Sequence, residues 1–139
     1  MDDAKQELVR AWLIKARNDL TTARQVGGLP DGPLDTAIYH CQQAAEKAVK
    51  GFLAFHDHRL ERSHDVERLV ELARNYEARF QQYEEAAITL TPYATAYRYP
   101  GESAVLEPSR DEFEEALKLA GDLFAFVFSL LPSDLQSNS

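Results

Sequence analysis

Apolar residues recur at steps of three and four along almost the whole chain, and no stretch of four or more residues alternates like a half-buried strand. That periodicity admits one fold class, an all-α antiparallel up-and-down bundle of about five helices. The first helix is predicted from about Ala4 to Val26, with Val9, Leu13, Ala16, Leu20 and Ala23 inward, and the Gly27-Gly28-Leu29-Pro30-Asp31-Gly32-Pro33 run stops it. A second, from about Leu34 to Phe55, turns Ala37, Cys41, Ala44, Ala48 and Phe52 inward; these mostly small residues let a neighbour approach closely. The third starts at Ser63 or His64 and buries Val66, Leu69, Val70 and Ala73.

The fourth is predicted from about Phe80 to Tyr97, with Tyr83, Ala87, Leu90, Ala94 and Tyr97 on one side and a kink or break near Leu90 ahead of Pro92. The fifth opens on Ser109-Arg110-Asp111-Glu112, a capping-box pattern, and runs to about Leu130. Its inner stripe is Phe113, Leu117, Ala120, Phe124, Val127 and Leu131, and Phe126 and Phe128 widen the apolar surface to nearly all round. Five helices of this size hardly enclose such a helix, which predicts a homodimer. Residues 1–132 are read as one domain and Ser133 to Ser139 as a disordered polar tail.

Composition narrows the function classes. The net charge is −8, from 23 acids and 15 bases, so the surface as a whole repels nucleic acid and anionic lipid, and any RNA contact must be local. No apolar run reaches the length of a spanning helix, and Met1 is followed by two aspartates rather than a basic and apolar leader. The expectation is a cytoplasmic protein without a membrane segment. The one cysteine, Cys41, excludes an internal disulfide and reads as a small core residue. There is no Gly-rich phosphate loop, Walker lysine, paired carboxylates at metal spacing or Gly-x-Ser-x-Gly, and no cofactor is expected.

Three groups of polar residues invite a chemical reading. Opposite its core stripe the second helix carries Tyr39, His40, Gln43, Glu46, Lys47 and Lys50. Gln43, Lys47 and Lys50 offer donors to a phosphate, while the plain alternative is a solvated face with a Glu46–Lys50 pair four residues apart. His56, His58 and His64 cluster with Asp57 near the next turn; His-x-His can ligate zinc, but this loop spacing fixes no geometry and no metal is assigned. Four arginines fall between Arg59 and Arg74, interleaved with Glu61, Asp65, Glu67 and Glu71, the pattern of a helix face laced with ion pairs.

Within that segment Arg59 and His64 form an Arg-x4-His spacing. A histidine that moves a proton and an arginine that steadies charge on phosphorus are what a metal-free ribonuclease needs. A chain with this many arginines and histidines produces about one such spacing by chance.

Longer words give the pattern a context. Trp12-Leu13-Ile14-Lys15-Ala16-Arg17-Asn18-Asp19-Leu20, the run from Ala37 to Leu53, Ser63-His64-Asp65-Val66 and Tyr97-Arg98-Tyr99-Pro100-Gly101 occur in that order. Together they resemble the HEPN family over roughly residues 5 to 130, the run from Ala37 to Leu53 being the specific part. The resemblance implies an antiparallel bundle, commonly a homodimer, often encoded beside a minimal nucleotidyltransferase. In such pairs the HEPN chain is the toxin, a metal-independent RNA endonuclease whose Arg-x4–6-His pairs meet across the dimer, and the nucleotidyltransferase is the antitoxin. Carried onto this chain, the catalytic pair is Arg59 and His64, with Arg62 able to replace Arg59. RNA or nucleotide contacts fall to Tyr39, Gln43, Lys47, Lys50, Arg62 and Arg98. The alternative implied by other members is a non-catalytic nucleotide-binding or partner-binding module, in which the polar face of the second helix and Arg98 hold a nucleotide or a partner nucleotidyltransferase; in a third, purely structural reading His64 caps the third helix and Arg98 satisfies helix carbonyls.

Overall fold

A computed structural model describes residues 1–101 and 105–136 of the chain. Among them are six α-helices and no strand: α1 Asp3–Gly28, α2 Leu34–Phe55, α3 Val66–Arg74, α4 Glu84–Leu90, α5 Arg110–Leu130 and α6 Ser133–Gln136. None of these helices is long and apolar enough to cross a membrane.

The Asp2 carboxylate accepts the Lys5 amide at 2.7 Å and so starts α1, while the Gly27-Gly28 pair ends it just before Pro30. Gly27 has a packing role as well, because a Cβ there would stand 2.2 Å from the Phe113 ring. The chain then reverses. Trp12 lies against Gly51, and Asp19 bonds His40 and Lys47, which sets α1 and α2 antiparallel. α5 is also antiparallel to α1: Phe113 packs at Gly27, Gly121 lies beside Arg24, and Arg17 sits over Phe124 and Phe128.

α2 is the central helix, touching α1, α3 and α5. Every residue predicted to face inward from the first three helices is buried, including Cys41 and Phe52. Phe52, Phe80, Leu13, Leu69, Leu90 and Leu123 anchor the core, each worth about 1.5–3 kcal/mol when withdrawn from water.

Four expectations are corrected. α3 is capped by Asp65, whose carboxylate accepts the Arg68 amide at 3.2 Å, so neither Ser63 nor His64 is the cap. The predicted fourth helix is three pieces: 3₁₀ turns at Ala78–Tyr83 and Thr91–Ala94 flank the short α4. The break after Leu90 falls where Pro92 requires it, since the proline ring has no N–H and would clash with the Ile88 carbonyl. The altered phase buries Tyr93 and leaves Ala94 half-buried. The capping box at α5 forms only in part. Ser109 Oγ accepts the Glu112 amide at 3.0 Å, whereas the Glu112 carboxylate accepts the hydroxyls of Tyr93 and Tyr97 at 2.8 and 2.9 Å. Desolvation and that carboxylate push both phenols above their ordinary value.

The fourth correction concerns the tail. Residues 133–136 form α6, with Leu135 buried, and Gln136 Nε2 donates to the Phe128 and Leu131 carbonyls at 2.8 and 2.7 Å. Those bonds satisfy the open carbonyl end of α5, which gives the segment a reason to be ordered. The rest of the predicted tail, residues 137–139, lies outside the described residues.

The aromatic surplus of α5 finds partners within the chain. Phe126 packs on Phe80 and Tyr83, and Arg17 covers Phe124 and Phe128. Phe124, Phe126 and Phe128 nonetheless remain half-buried.

Candidate functional site

Helical geometry brings Tyr39, Gln43, Glu46 and Lys50 to one side of α2, at steps of three and four. The sequence offered a solvated face there, but Gln43, Glu46 and Lys50 are buried. The reason is the return of the chain after α2. Asp57, with φ 59°, takes the left-handed conformation at the helix end, and the following loop closes over Glu46.

Glu46, only 3% exposed, is the hub of this region. Its Oε1 meets His64 Nδ1 at 2.9 Å and accepts Nε2 of Gln42 and Gln43 at 3.2 and 3.4 Å. Its Oε2 accepts Lys50 Nζ at 3.0 Å. Gln42 Nε2 also reaches the His64 carbonyl at 2.8 Å, fixing the backbone of the residue whose ring Glu46 holds. A buried carboxylate can only accept, so His64 Nδ1 carries the proton and Nε2 is the ring's remaining polar atom. The His64 side chain is 70% exposed. Orientation through one ring nitrogen and access through the other are what a histidine acid or base requires.

Arg59 is exposed and lines a cavity of about 280 Å³ with Leu8, Trp12, Lys50, Leu53 and Leu60. His64 is not part of that wall; the two are linked through Lys50, which borders the cavity and bonds Glu46. Among the described residues neither Arg59 nor Arg62 has a hydrogen bond or ion pair, so their guanidinium donors face water. Of the segment from Arg59 to Arg74 read as an ion-paired helix face, residues 59–65 are loop and α3 carries the rest, with Arg68 3.5 Å from Glu61 and Arg74 paired with Glu84.

The other predicted contact residues divide. Lys47 donates to Asp19 at 2.8 Å, and Gln43 and Lys50 bond within the Glu46 network. Tyr39 and Arg98 are brought together: the guanidinium carbon lies 3.9 Å from the ring centroid. His56 stacks on Tyr76, and His58 Nδ1 is 2.7 Å from the Tyr76 hydroxyl, which draws both away from His64. Among the described residues no group of three or more His, Cys, Asp or Glu could hold a metal ion. Burial pushes the Cys41 thiol up to about 12 and leaves it unreactive.

Sequence reasoning missed the part played by Glu46, visible only as a partner for Lys50, and missed Gln42 and Asp19 altogether as polar anchors. The four-residue spacing of Glu46 and Lys50 was a usable signal. Nothing local announces that Asp19 reaches His40.

The family model for the HEPN domain matches residues 9–130. The chain is similar to the crystal structure of TT1696 from Thermus thermophilus, with 34% identity and a TM-score of 0.77 over 88% of this chain and 98% of that one. It is similar also to ST0689, described as an archaeal HEPN homologue, with 28% identity and a TM-score of 0.71 over 88% of this chain and 96% of that one. No curated protein matches. Since the family pattern runs from the first turns of α1 to the end of α5, through the helix that carries Glu46 and the loop that carries His64, this chain belongs to the HEPN domain family.

Proposed function

We propose that this chain is a metal-independent RNA endonuclease, the toxin of a HEPN and nucleotidyltransferase module, acting as a homodimer in the cytoplasm. The observation that carries the reading is the buried Glu46 carboxylate on His64 Nδ1, which leaves Nε2 to work on substrate. In the reaction Nε2 takes the proton of an RNA 2′-hydroxyl. The freed oxygen attacks the adjacent phosphorus, the bond to the 5′ oxygen breaks, and the protonated imidazole supplies that leaving oxygen with its proton. Arg59, or Arg62 in its place, steadies charge on the phosphoryl oxygens, with the unoccupied donors the role needs. Two copies, each with an Arg59–His64 pair, would hold one strand between them. A minimal nucleotidyltransferase is the expected antitoxin.

The test is cleavage of a labelled RNA with EDTA present. His64→Ala should lower the rate by about 10²–10⁴, and Arg59→Ala should weaken it as well, with Arg62→Ala adding to that loss. A rate unchanged in His64→Ala would remove the histidine from the mechanism. Co-purification with the neighbouring gene product, identified as a nucleotidyltransferase, tests the module.

A further inference from the structure

The cavity beside Arg59 has a chemistry of its own. Its volume, about 280 Å³, is at the small end of the range for small-molecule sites. Leu8 and Trp12 of α1, Leu53 and Ala54 of α2 and Leu60 of the following loop give it apolar walls. Leu8 and Leu60 line it while 52% and 56% exposed, so hydrocarbon that could be covered is left facing water. A hollow of this kind gains by taking an apolar guest.

The polar groups of the wall decide which guest. Lys5 Nζ is paired with Asp57 at 3.0 Å, Lys50 Nζ with Glu46 at 3.0 Å, and Glu61 with Arg68 at 3.5 Å. His58 Nδ1 lies 2.7 Å from the Tyr76 hydroxyl. Arg59 is the charge left over, exposed and without a hydrogen bond or ion pair among the described residues. The wall therefore combines an apolar interior with one guanidinium fork, whose parallel N–H donors match the two oxygens of a carboxylate. A cationic guest would meet no free anion. A nucleobase suits the cavity poorly for another reason, since its polar edges would be buried against Leu8, Trp12, Leu53 and Leu60 without partners.

We propose that this cavity binds an apolar monocarboxylate of the size of a medium-chain fatty acid, its hydrocarbon among Leu8, Trp12, Leu53 and Leu60 and its carboxylate on the Arg59 fork. The proposal does not rest on the ribonuclease reading, because Arg59 holds the carboxylate whether or not it also serves on RNA.

Trp12 is the chain's one tryptophan and lines the cavity, so its fluorescence reports occupancy. Octanoate is titrated into the full chain at neutral pH, with octan-1-ol as the neutral analogue and acetate as the anion without a chain. Octanoate is expected to change the Trp12 emission to saturation, with the same affinity by calorimetry. Octan-1-ol should bind at least about tenfold more weakly, and acetate should not bind. Arg59→Gln should lower the octanoate affinity about tenfold and leave that for octan-1-ol unchanged. Leu8→Glu, at an exposed position where the fold is preserved, brings a carboxylate to the cavity and should abolish octanoate binding. No saturable binding of octanoate, equal affinity for octan-1-ol, or octanoate affinity unchanged in either variant would overturn the proposal. His64→Ala separates this proposal from the ribonuclease reading, because it removes RNA cleavage and leaves octanoate binding intact.

Discussion

Lys50→Met keeps most of the length of the side chain and removes a buried charge from beside Glu46. Lys50 is 8% exposed and Glu46 3%, with 3.0 Å between the charged atoms. At an effective dielectric near 20 the attraction over that distance is about 5.5 kcal/mol. Desolvation of both ions offsets much of it, so the pair itself contributes little net stability. The single substitution is a different matter. It leaves the carboxylate buried with only the amides of Gln42 and Gln43 and the His64 ring, a situation that costs about 3–5 kcal/mol. Loss of the cation 5.7 Å from the Trp12 ring adds about 0.5–1 kcal/mol. Unfolding in urea, followed by far-UV circular dichroism, should therefore show Lys50→Met about 3 kcal/mol or more less stable than the parent, with Tm lower by about 10 °C. Adding Glu46→Gln removes the stranded charge, and the double variant should recover about 2 kcal/mol. A Lys50→Met protein within about 0.5 kcal/mol of the parent, or strictly additive losses, would refute the picture of a buried charge hub.

Three further outcomes follow from particular contacts. Gly27→Ala puts a methyl 2.2 Å from the Phe113 ring and should cost about 1–3 kcal/mol in thermal melts, whereas Gly28→Ala meets nothing within 4 Å and should be neutral or stabilising by up to about 1 kcal/mol. The Cys41 thiol is raised by burial from 9.0 to about 12, so its contribution is complete below the unfolded value and is lost as pH rises toward the folded one. Between about pH 9 and 11 the fall in stability should be shallower in Cys41→Ala, by up to about 1.4 kcal/mol per pH unit, in denaturant titrations at each pH. Under the ribonuclease reading, Glu46→Gln should lower kcat for RNA about ten- to a hundredfold with little change in KM, because Arg59 is untouched; equal losses in Lys50→Met and Glu46→Gln would point to stability rather than orientation.

The sequence revealed what periodicity controls. Val9, Leu13, Ala16, Leu20 and Ala23 are all buried because one face of one helix meets the rest of the bundle, and a 3.6-residue repeat records that directly. The pattern could not tell a solvated polar face from a polar face roofed by a loop. Gln43, Glu46 and Lys50 have the same spacing in either case, and only the return of residues 57–65 over α2 decides. The stretch from Phe80 to Tyr97 misled for a related reason, as its apolar spacing fits a helix while Pro92 and two 3₁₀ turns shift the phase that reaches the core.

The same distinction applies to the candidate chemistry. Arg59 and His64 stand at a spacing that chance supplies, so the spacing is weak support for a site. What adds weight is independent of it: a nearly inaccessible carboxylate, held by Lys50 and two glutamines, is aimed at one nitrogen of an otherwise exposed ring. A helix that needed only stability could fill position 46 with an apolar residue at equal or lower cost, since a buried ion pair contributes little against such a replacement. His40 repeats the arrangement with Asp19 beside Arg98, through residues too distant in sequence for any short-range spacing rule to join. In both cases the carboxylate that orients the ring, rather than the interval to an arginine, is the more discriminating mark of a histidine held in one orientation.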